Sequence, residues 1–245
     1  MKVYIGIDDT DNLDSRGTGY QARALGLSLM EAGLFELRSV TRHQLLVDQR
    51  IPFTSHNSSA CLAGACNVEI GRLIDHCKTF LIRESAFDSD AGLCVAPFAE
   101  ISADIIAYGN RAKREVLTME DAFQLIVQKN IYLEGFKNAR IGVIGSLAAV
   151  GLRAGGEDGR LLWTKNLRET TGIFTVQKFL DIVDVERVVD MQMNEIAPEA
   201  AIQITGWCRP VMLGGKITLY AEPANETEPY EYQSASKDFI KSISE

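Results

Sequence analysis

The sequence predicts an α/β protein with two domains, the second of which is a small α+β unit. Three observations lead to this prediction. The chain has 245 residues, of which 46% are apolar, and this is enough to build a substantial core. Short apolar strands alternate with helical patterns over about the first 150 residues. The rest of the chain has several predicted strands but few predicted helices. A glycine-rich stretch, Gly151 to Gly159, lies between them and has the composition of a domain boundary.

Composition and charge exclude several classes of protein. The chain has 25 Lys and Arg against 33 Asp and Glu, a net charge of −8, which argues against a sequence-independent polyanion binder because phosphate neutralisation requires a basic face. No apolar run approaches the ~20 residues of a membrane span, and the N-terminus lacks the apolar segment of a signal peptide. The five cysteines form no C-x-x-C pair. We therefore expect reduced thiols, no zinc, no membrane contact and a cytoplasmic location.

Each element of the first domain follows from a local pattern. Lys2 to Ile7 is a short apolar strand, and Tyr20 to Ala32 has apolar residues at helical spacing. A Thr-Met-Glu-Asp capping box opens a helix from Thr118 to Lys129, and the Gly- and Ala-rich stretch Ile141 to Val150 suits a closely packed helix. The other expected elements are one long strand or a strand pair over Leu37–Asp48, a turn over Ile51–Asn57, a helix over Cys61–Ile74, strands over Lys78–Glu84 and Leu93–Phe98, a helix over Ser102–Lys113 and an extended segment over Ile131–Phe136.

The second domain is expected to contain more strands than helices. One helix is predicted over Val176–Val183, and the predicted strands are Leu161–Thr164, Val185–Met193, Ala201–Trp207 and Lys216–Ala221. Residues 222–245 carry six acidic side chains against two lysines, which is typical of a solvated end. We therefore expect domains over residues 1–155 and 156–223 and an acidic C-terminal tail over residues 224–245.

The strongest functional signal is a cluster of three carboxylates, Asp8, Asp9 and Asp11, directly after the first strand. Carboxylates this close repel one another, and a divalent cation relieves that repulsion. Mg²⁺ suits such a position because it is held by one or two carboxylates together with substrate phosphates. Ligands of open α/β sheets also bind beyond the carboxyl ends of strands. The cluster predicts a metal–phosphate site, with a simple aspartate-rich turn as the plainer alternative.

A short polar loop, Ser15-Arg16-Gly17-Thr18-Gly19-Tyr20, connects this cluster to the first helix. Its glycines allow backbone N–H groups to approach an anion, and the N-terminus of the following helix favours negative charge. Arg16 adds a guanidinium and Thr18 a hydroxyl. We expect Arg16, Gly17, Thr18 and Gly19 to contact phosphate groups.

Other phosphate and metal motifs fit the cluster less well. An EF-hand loop starting at Asp9 would have Leu13 at its fifth position and Asp14 where glycine is required, and no Walker A motif occurs in the chain. A haloacid-dehalogenase-like D-x-D arrangement does fit, because Asp9 and Asp11 follow an apolar strand. It would make Asp9 a nucleophile and Asp11 a general acid/base in a phosphatase.

Several segments together resemble the TiaS family, the archaeal tRNA-isoleucine agmatidine synthetases, which use ATP and agmatine to modify an anticodon cytidine. The run Gly6-Ile7-Asp8-Asp9-Thr10-Asp11, followed by Gly17-Thr18 and Tyr20, looks like that family's opening signature. The other segments that carry the resemblance are Ile51–Asn57, Asp88–Val95 and Ile141–Gly151.

The resemblance covers about residues 1–155 and implies a kinase-like ATP-binding domain followed by a small ferredoxin-like domain. It implies that Asp8, Asp9 and Asp11 bind Mg²⁺, that Asp9 and Asp11 assist phosphoryl transfer, and that Thr18 lies against the nucleotide phosphates as part of the catalytic set. The expected nucleotide-contacting residues are Asp8, Arg16, Gly17, Thr18, Gly19, His56, Asn57, Gly142 and Gly145.

The sequence also departs from the family. Where the family has a K-T-R-G-N run, this chain has Thr54-Ser55-His56-Asn57-Ser58, without the two cations. The glycine-rich entry to the later helix is replaced by Asn138-Ala139-Arg140, where Arg140 or Lys137 could supply a charge. We also expect the family's tRNA-binding OB-fold and zinc ribbon to be missing.

The sequence therefore predicts an ATP-binding, Mg²⁺-dependent, kinase-like or ligase-like phosphotransferase. Asp8 and Asp11 would hold Mg²⁺ at the phosphates, and Asp9 would orient the attacking hydroxyl. The acceptor would be a small molecule or a tRNA delivered by a partner, and self-association as a homodimer is left open. Two alternatives are a catalytically weak nucleotide-binding accessory or regulatory protein and an Asp-dependent phosphatase.

Overall fold

The computed structural model of the chain describes residues 1–52 and 57–244. It divides into two compact units, Met1–Gly155 and Gly156–Glu245. Among the described residues, no helix combines the length and the apolar character needed to cross a membrane.

The first unit is an antiparallel sheet of five strands in the order β5-β4-β1-β3-β2, with helices packed on it. Its elements are β1 (Lys2–Asp8), α1 (Thr18–Glu31), β2 (Phe35–Gln44), β3 (Ser58–Cys66), α2 (Ile70–Glu84), β4 (Gly92–Pro97), α3 (Ala103–Ala112), α4 (Met119–Ile126), β5 (Tyr132–Gly135) and α5 (Val143–Gly155), with a short 3₁₀ turn over Phe98–Glu100. The mixed α/β class predicted from the sequence is confirmed.

The central strand β1 pairs with β3 on one side and β4 on the other. One face of the sheet carries Tyr4, Cys61 and Cys94, which share a buried cluster with residues of α3 and α5. Helix α1 packs on β2 and β3, where the side chain of Leu37 approaches Gly26 closely. Because helices cover β1 from both sides, its carboxyl end is one of the few places where its polar residues can reach a cavity.

Helix α5 crosses the sheet at an unusually short distance. A Cβ atom added to Gly6 in β1 would overlap the carbonyl oxygen of Ser146 in α5. Only glycine leaves room for the helix backbone at this point, because every other residue would bring a Cβ atom into it. The small residues of α5, which predicted a closely packed helix, therefore allow its first turn to lie beside the carboxyl end of β1.

Two elements of the first unit differ from the sequence prediction. The helix expected over Cys61–Ile74 is wrong, because Ser58–Cys66 is strand β3 and the helix begins only at Ile70. The strand expected over Lys78–Glu84 is also wrong, because these residues complete α2. Small Ala, Cys and Ser side chains carry little periodicity, and β3 is buried between β1 and β2, so pairing with two neighbours decides its conformation.

The strands of the second unit pair in the order β6-β10-β11-β12-β9-β7, with β8 parallel to β11. Its elements are β6 (Arg160–Thr164), β7 (Gly172–Thr175), α6 (Val176–Ile182), β8 (Arg187–Val189), β9 (Ala201–Ile204), β10 (Val211–Leu213), β11 (Lys216–Pro223), β12 (Tyr232–Ser234) and α7 (Lys237–Ser244). A buried apolar cluster that includes Phe179, Ile202 and Leu219 forms its core.

The acidic segment 224–245, expected to be a tail, contributes both a strand and a helix to this unit. Strand β12 pairs with β11 and β9. Helix α7 buries Ile240, and Phe239 packs edge-on against Tyr220 at 5.3 Å between ring centroids. The acidic residues of this segment dominate its composition, but a few apolar side chains at helical spacing are enough to attach it to a core.

Candidate functional site

A cavity of about 330 Å³ opens at the carboxyl end of β1 in the first unit. This volume is within the range of small-molecule sites. Asp8, Asp9 and Asp11 form part of its wall. The apolar part of the wall comes from segments far apart in the sequence and includes Leu45, Ile51, Ala112, Leu117, Met119 and Ile144. The cavity thus has an acidic end and an apolar wall.

Three helices begin at the cavity. Thr18 is the first residue of α1, Thr118 caps α4, and Gly145 lies in the first turn of α5; all three residues line the cavity. The N-terminus of a helix carries a partial positive charge and backbone N–H groups without helical partners. Carboxylates of the chain already lie at these ends, with Asp11 at α1, Asp8 beside the first turn of α5, and Asp121 in the first turn of α4.

Asp8 is held against the first turn of α5. A Cβ atom on Gly145 would overlap the Asp8 carboxylate, so the glycine creates the space that the carboxylate occupies. Burial raises the pKa of Asp8 well above its usual range, and the negative charges of Asp9 and Asp11 raise it further. The protein therefore keeps an acid where its ionised form is costly, which is typical of functional sites.

Asp9 lies at a backbone position that side chains rarely adopt, with φ of 51°. Aspartate tolerates this left-handed conformation better than most residues. Burial raises the pKa of Asp9 to about 6, and the charges of Asp90 and Asp11 contribute in the same direction. Asp90 is positioned by its own contacts, since its carboxylate accepts from the Arg140 amide at 2.8 Å and its carbonyl from the Gly142 amide at 2.9 Å.

The side chain of Asp11 caps α1, although Asp11 lies in the preceding loop, several residues before the helix begins at Thr18. Its Oδ1 atom accepts hydrogen bonds from the Thr18 amide at 3.0 Å and from the Thr18 hydroxyl at 2.7 Å. The Thr18 hydroxyl in turn accepts from the amide and the hydroxyl of Thr10, at 3.3 and 3.1 Å. A carboxylate of the chain itself therefore sits at the N-terminus of α1, and a phosphate could bind there only with a cation between the two anions.

Two substitutions at Asp11 should separate its capping role from its charge. Asp11→Asn keeps a side-chain oxygen for the Thr18 donors, so we expect a stability loss under about 1 kcal/mol, whereas Asp11→Ala should lose about 1–2 kcal/mol. Both should also weaken the Mg²⁺-dependent nucleotide binding predicted from the sequence, by about tenfold or more. Urea denaturation and calorimetric titration measure the two effects, and equal stability of the two variants would contradict the capping role.

The structure brings most of the predicted site residues together. The wall of the cavity includes Asp8, Asp9, Asp11, Thr18, Asn57, Gly142 and Gly145. Gly17 is the N-cap of α1 and Gly19 is its second residue, and neither is part of that wall as described. Arg16 also lies elsewhere, with its guanidinium 4.4 Å from the ring centroid of Tyr20. His56, and with it the middle of the turn expected over Ile51–Asn57, lies outside the described residues.

The two cations proposed as replacements, Lys137 and Arg140, are not part of the cavity wall as described. The Lys137 ammonium donates to the carbonyl oxygens of Ser85 and Ala86, so it joins two loops instead of entering the cavity. The backbone amide of Arg140 donates to Asp90, and within the described chain its side chain is not part of the cavity wall.

Sequence reasoning missed several residues of the wall, most notably Arg50, Glu115 and Thr118. Arg50 pairs with Asp48 at 2.7 Å, and Glu115 pairs with Arg111 at 2.9 Å. The capping box at Thr118 was recognisable in the sequence and is confirmed. Its position at the cavity was not recognisable, because it depends on how α4 packs against α5.

The charged side chains of the wall suit a cation that is shared with an anionic ligand. They suit less well a metal ion whose ligands all come from the protein. The described residues of the wall provide four carboxylates against one guanidinium. Within residues 1–52 and 57–244, no three His, Cys, Asp or Glu side chains are grouped so as to hold a metal ion. Mg²⁺ fits this donor set, because it takes one or two carboxylates and completes its shell with water and phosphate oxygens.

The raised pKa of Asp9 predicts a pH-dependent cost in stability. The pKa of Asp9 is about 6 in the folded state and near 3.8 in the unfolded state, so the folded state binds the proton more tightly. The free energy of unfolding therefore falls as the pH rises from about 3.8 to about 6. Asp9→Asn, which has no charge to bury, should therefore be more stable than the wild type by about 2 kcal/mol near pH 7.5 without Mg²⁺, and no more stable near pH 4. Thermal unfolding at the two pH values measures this, and a difference independent of pH would contradict it.

No family model matches the chain. An uncharacterized protein of Methanocaldococcus jannaschii is 29% identical over 152 residues, which are 62% of this chain and 50% of that protein. TiaS of Archaeoglobus fulgidus, a tRNA 2-agmatinylcytidine synthetase, is 28% identical over 153 residues, 62% of this chain and 36% of that protein. The chain thus matches about half and about a third of the lengths of these curated relatives.

Solved structures extend the similarity to the fold. Apo TiaS, the tRNA-isoleucine agmatidine synthetase, has a TM-score of 0.53 and 25% identity, covering 62% of this chain and 35% of that one. A complex of TiaS with its isoleucine tRNA and ATP has a TM-score of 0.52 and 24% identity, covering 62% and 36%. The resemblance to TiaS inferred from the sequence is confirmed over this part of the chain, which has a TiaS-like fold.

Proposed function

We propose that this chain is a nucleotide-utilising enzyme of the TiaS type, which binds ATP with Mg²⁺ and transfers a phosphoryl or nucleotidyl group to an RNA or small-molecule acceptor. The observation that carries the proposal is the cavity at the end of β1, where three carboxylates and three helix N-termini meet. The similarity to TiaS, solved as a complex with an isoleucine tRNA and ATP, supports it. A kinase-like first unit and a ferredoxin-like second unit are part of this proposal.

Electrostatics explains why a cation belongs to this proposal. A polyphosphate entering the acidic end would meet Asp8, Asp9 and Asp11. Arg50 is the only cationic side chain among the described residues of the wall, and it is 71% exposed and paired with Asp48. Repulsion by the carboxylates opposes the binding of a free polyphosphate at this end of the cavity. Mg²⁺ bound to the polyphosphate relieves this repulsion. Mg²⁺ would also supply charge neutralisation at the transferred phosphate.

The chain's own residues have distinct roles in the proposed reaction. Asp8 and Asp11 would hold Mg²⁺, because both are fixed by backbone or helix contacts before any ligand arrives. Asp9 would accept the proton of the acceptor hydroxyl, for which a pKa of about 6 is well suited. Thr18 would position Asp11 through its two hydrogen bonds.

The apolar wall suits the nucleobase. Leu45, Ile51, Leu117 and Met119 line it, and such side chains provide area for an aromatic base without selecting it by charge. Asn57 lines the same cavity and donates through its side-chain amide to the carbonyl of Leu46 at 2.6 Å, so it stabilises the loop that carries this wall.

One observation favours a second candidate, a nucleotide-binding accessory protein with little turnover. Phosphotransferases stabilise the charge of the transferred phosphate with Lys or Arg groups, yet the described wall has a single guanidinium that already faces Asp48. Such a protein would bind the nucleotide without consuming it.

Titration of the purified chain with Mg²⁺-ATP tests the proposal. We expect binding in the presence of Mg²⁺, its loss on chelation with EDTA, and ADP or AMP release when an acceptor RNA or metabolite mixture is supplied. Asp8→Asn should weaken binding about tenfold or more, while the exposed loop variant Asp14→Asn serves as a matched control. Binding without product release would favour the accessory role. Absence of nucleotide binding, or phosphate release from simple esters without nucleotide, would refute the proposal.

A further inference from the structure

Strand β7 of the second unit has a neighbouring strand on one side only. It pairs with β9 and is the last strand in the order, and within the described part of the chain no strand pairs with its other side. The amide of Val176, at the end of β7, donates to the carbonyl of Ala200 at 3.0 Å. Because hydrogen-bonded and open residues alternate along an antiparallel pair, the backbone groups of Ile173 and the amide of Thr175 point outward.

The contacts of β9 agree with this alternation. Ala201 lies opposite Thr175 in the register. The Ala201 amide donates to the Glu231 carboxylate at 3.1 Å, and the Ala201 carbonyl accepts from the Glu231 amide at 2.9 Å. The backbone groups of Ala201 therefore face away from β7, and the outer edge of β7 presents hydrogen-bond donors and acceptors to a further strand.

The side chains of this edge do not protect it from pairing. Natural proteins commonly place charges, proline or bulges on an exposed sheet edge. The edge strand β5 of the first unit follows this rule, since its Glu134 pairs with Lys78 at 2.9 Å. By contrast, residues 170–176 contain no charged residue and no proline, and Ile173 is 49% exposed. An uncharged edge with several β-branched residues is well suited to receive another strand.

The exposed side chains of the edge are symmetric about Ile173. Thr171, Ile173 and Thr175 are exposed, and they alternate with the half-buried Gly172 and Phe174. If two copies of the strand pair antiparallel about an axis at Ile173, each Thr171 lies opposite Thr175 of the second copy and the two Ile173 side chains meet. Threonine pairs and β-branched pairs on one face of a sheet are favourable. The edge is therefore complementary to itself.

The charged residues that flank the edge have opposite signs. Exposed Glu169 precedes it, and exposed Lys178 lies beside Thr175, because the Lys178 amide donates to the Thr175 hydroxyl at 3.2 Å. The neighbouring cation Arg168 is engaged within its own loop, where it donates to the carbonyl of Leu162 at 3.3 Å. The same axis brings Glu169 of one copy toward Lys178 of the other at both ends. This charge complementarity favours a second copy over an unrelated extended peptide.

We propose that β7 pairs with β7 of a second copy of this chain, antiparallel and about a two-fold axis at Ile173, and that the protein forms a homodimer through this edge. Such an interface is isologous, as in most homodimers. It uses no residue of the cavity at the end of β1 and is independent of the proposed function. Because a short strand edge buries less than the ~800 Å² per partner of a standard interface, we expect a Kd on the order of 10 µM.

Sedimentation velocity at chain concentrations from about 1 to 300 µM measures this association. We expect a shift from monomer to dimer as the concentration rises. Ile173→Lys places two like charges on the axis and should weaken the dimer about tenfold or more. Its circular dichroism and thermal unfolding should match those of the wild type, because Ile173 is half exposed. Ile243→Lys, at a 46% exposed position of α7, is the matched control and should leave the dimer unchanged.

Cysteine crosslinking tests the register of the proposed pair. The native cysteines are buried, so mild oxidation should join chains only through introduced thiols. Ile173→Cys should form a disulfide-linked dimer, because residues that face each other across the axis have Cα atoms about 5.5 Å apart. Thr171→Cys and Thr175→Cys should crosslink when mixed. Neither should crosslink with itself, because identical positions then lie about 14 Å apart along the strands.

Each outcome of these measurements decides for or against the edge. A monomer over the whole concentration range would overturn the proposal, and so would a dimer that Ile173→Lys leaves intact. Crosslinking of Thr171→Cys with itself as efficiently as with Thr175→Cys would also overturn it, because the strands would then not pair antiparallel about Ile173. A dimer that Ile173→Lys weakens and that Ile173→Cys links would support it. Thr175 caps α6, so the Ile173→Cys result is decisive if Thr175→Cys is unstable.

Discussion

Gly6→Ala should destabilise the first unit by about 3 kcal/mol or more, a large stability effect for a single methyl group. The added Cβ atom would overlap the carbonyl oxygen of Ser146 in α5. Gly6 lies in the middle of β1, which is paired on both sides with Cys61 and Cys94, so the strand cannot move away. The helix cannot move without withdrawing Gly145 from Asp8. Denaturation with urea, followed by circular dichroism, measures the loss.

Gly71→Ala is the matched control for this prediction. Gly71 lies in α2, and an added Cβ atom there would meet nothing within 4 Å. Alanine should therefore be neutral or stabilise the protein by up to about 1 kcal/mol. If Gly6→Ala and Gly71→Ala had similar stabilities, the close approach of α5 to β1 would be incorrect, and with it the position of the first turn of α5 at the cavity.

Asp9→Asn should lower the rate of product formation about 10²-fold to 10⁴-fold, the range for loss of a general base. Asn is nearly the same size as Asp, and it also tolerates the positive φ of this position. The cavity should therefore keep its shape. Mg²⁺-ATP affinity should change by less than about threefold, because in the proposed mechanism Asp8 and Asp11 hold the cation. Single-turnover measurements at saturating Mg²⁺-ATP report the chemical step.

Asp14→Asn again provides a control, since Asp14 is exposed in the loop after Asp11 and lies outside the cavity wall as described. It should leave rate and affinity unchanged. A loss of nucleotide affinity in Asp9→Asn as large as its loss of rate would show that Asp9 binds the cation and does not act as the base. An unchanged rate would remove Asp9 from the reaction altogether.

The acidic half of the site was predictable because it is local in the sequence. Asp8, Asp9, Asp11 and Thr18 lie within eleven consecutive residues, and a strand followed by a short loop and a helix necessarily keeps them close. The phosphate-binding role assigned to the amides of Gly17 and Gly19 stays a prediction. It now requires a bridging cation, because Asp11 already occupies the start of α1.

The rest of the wall could not be predicted in the same way. Arg50, Glu115 and Thr118 come from segments separated from Asp9 by 41 to 109 positions, and their meeting at one cavity depends on the order β5-β4-β1-β3-β2 and on the packing of α4 and α5. No local pattern encodes such contacts. The errors at β3 and α2 have the same origin, since two neighbouring strands override the weak preferences of a stretch of small residues.

The sequence by itself determined the α/β class, the acidic cluster after β1, the capping box of α4 and the small-residue character of α5. These features depend on residues within one or two helical turns of each other, where periodicity and capping chemistry act directly. Only the tertiary structure decided that α5 meets β1 at Gly6, that Asp11 caps α1, and that Arg16 stacks on Tyr20 outside the cavity. The physical reason is that close packing and burial select among contacts which a linear pattern leaves equally available.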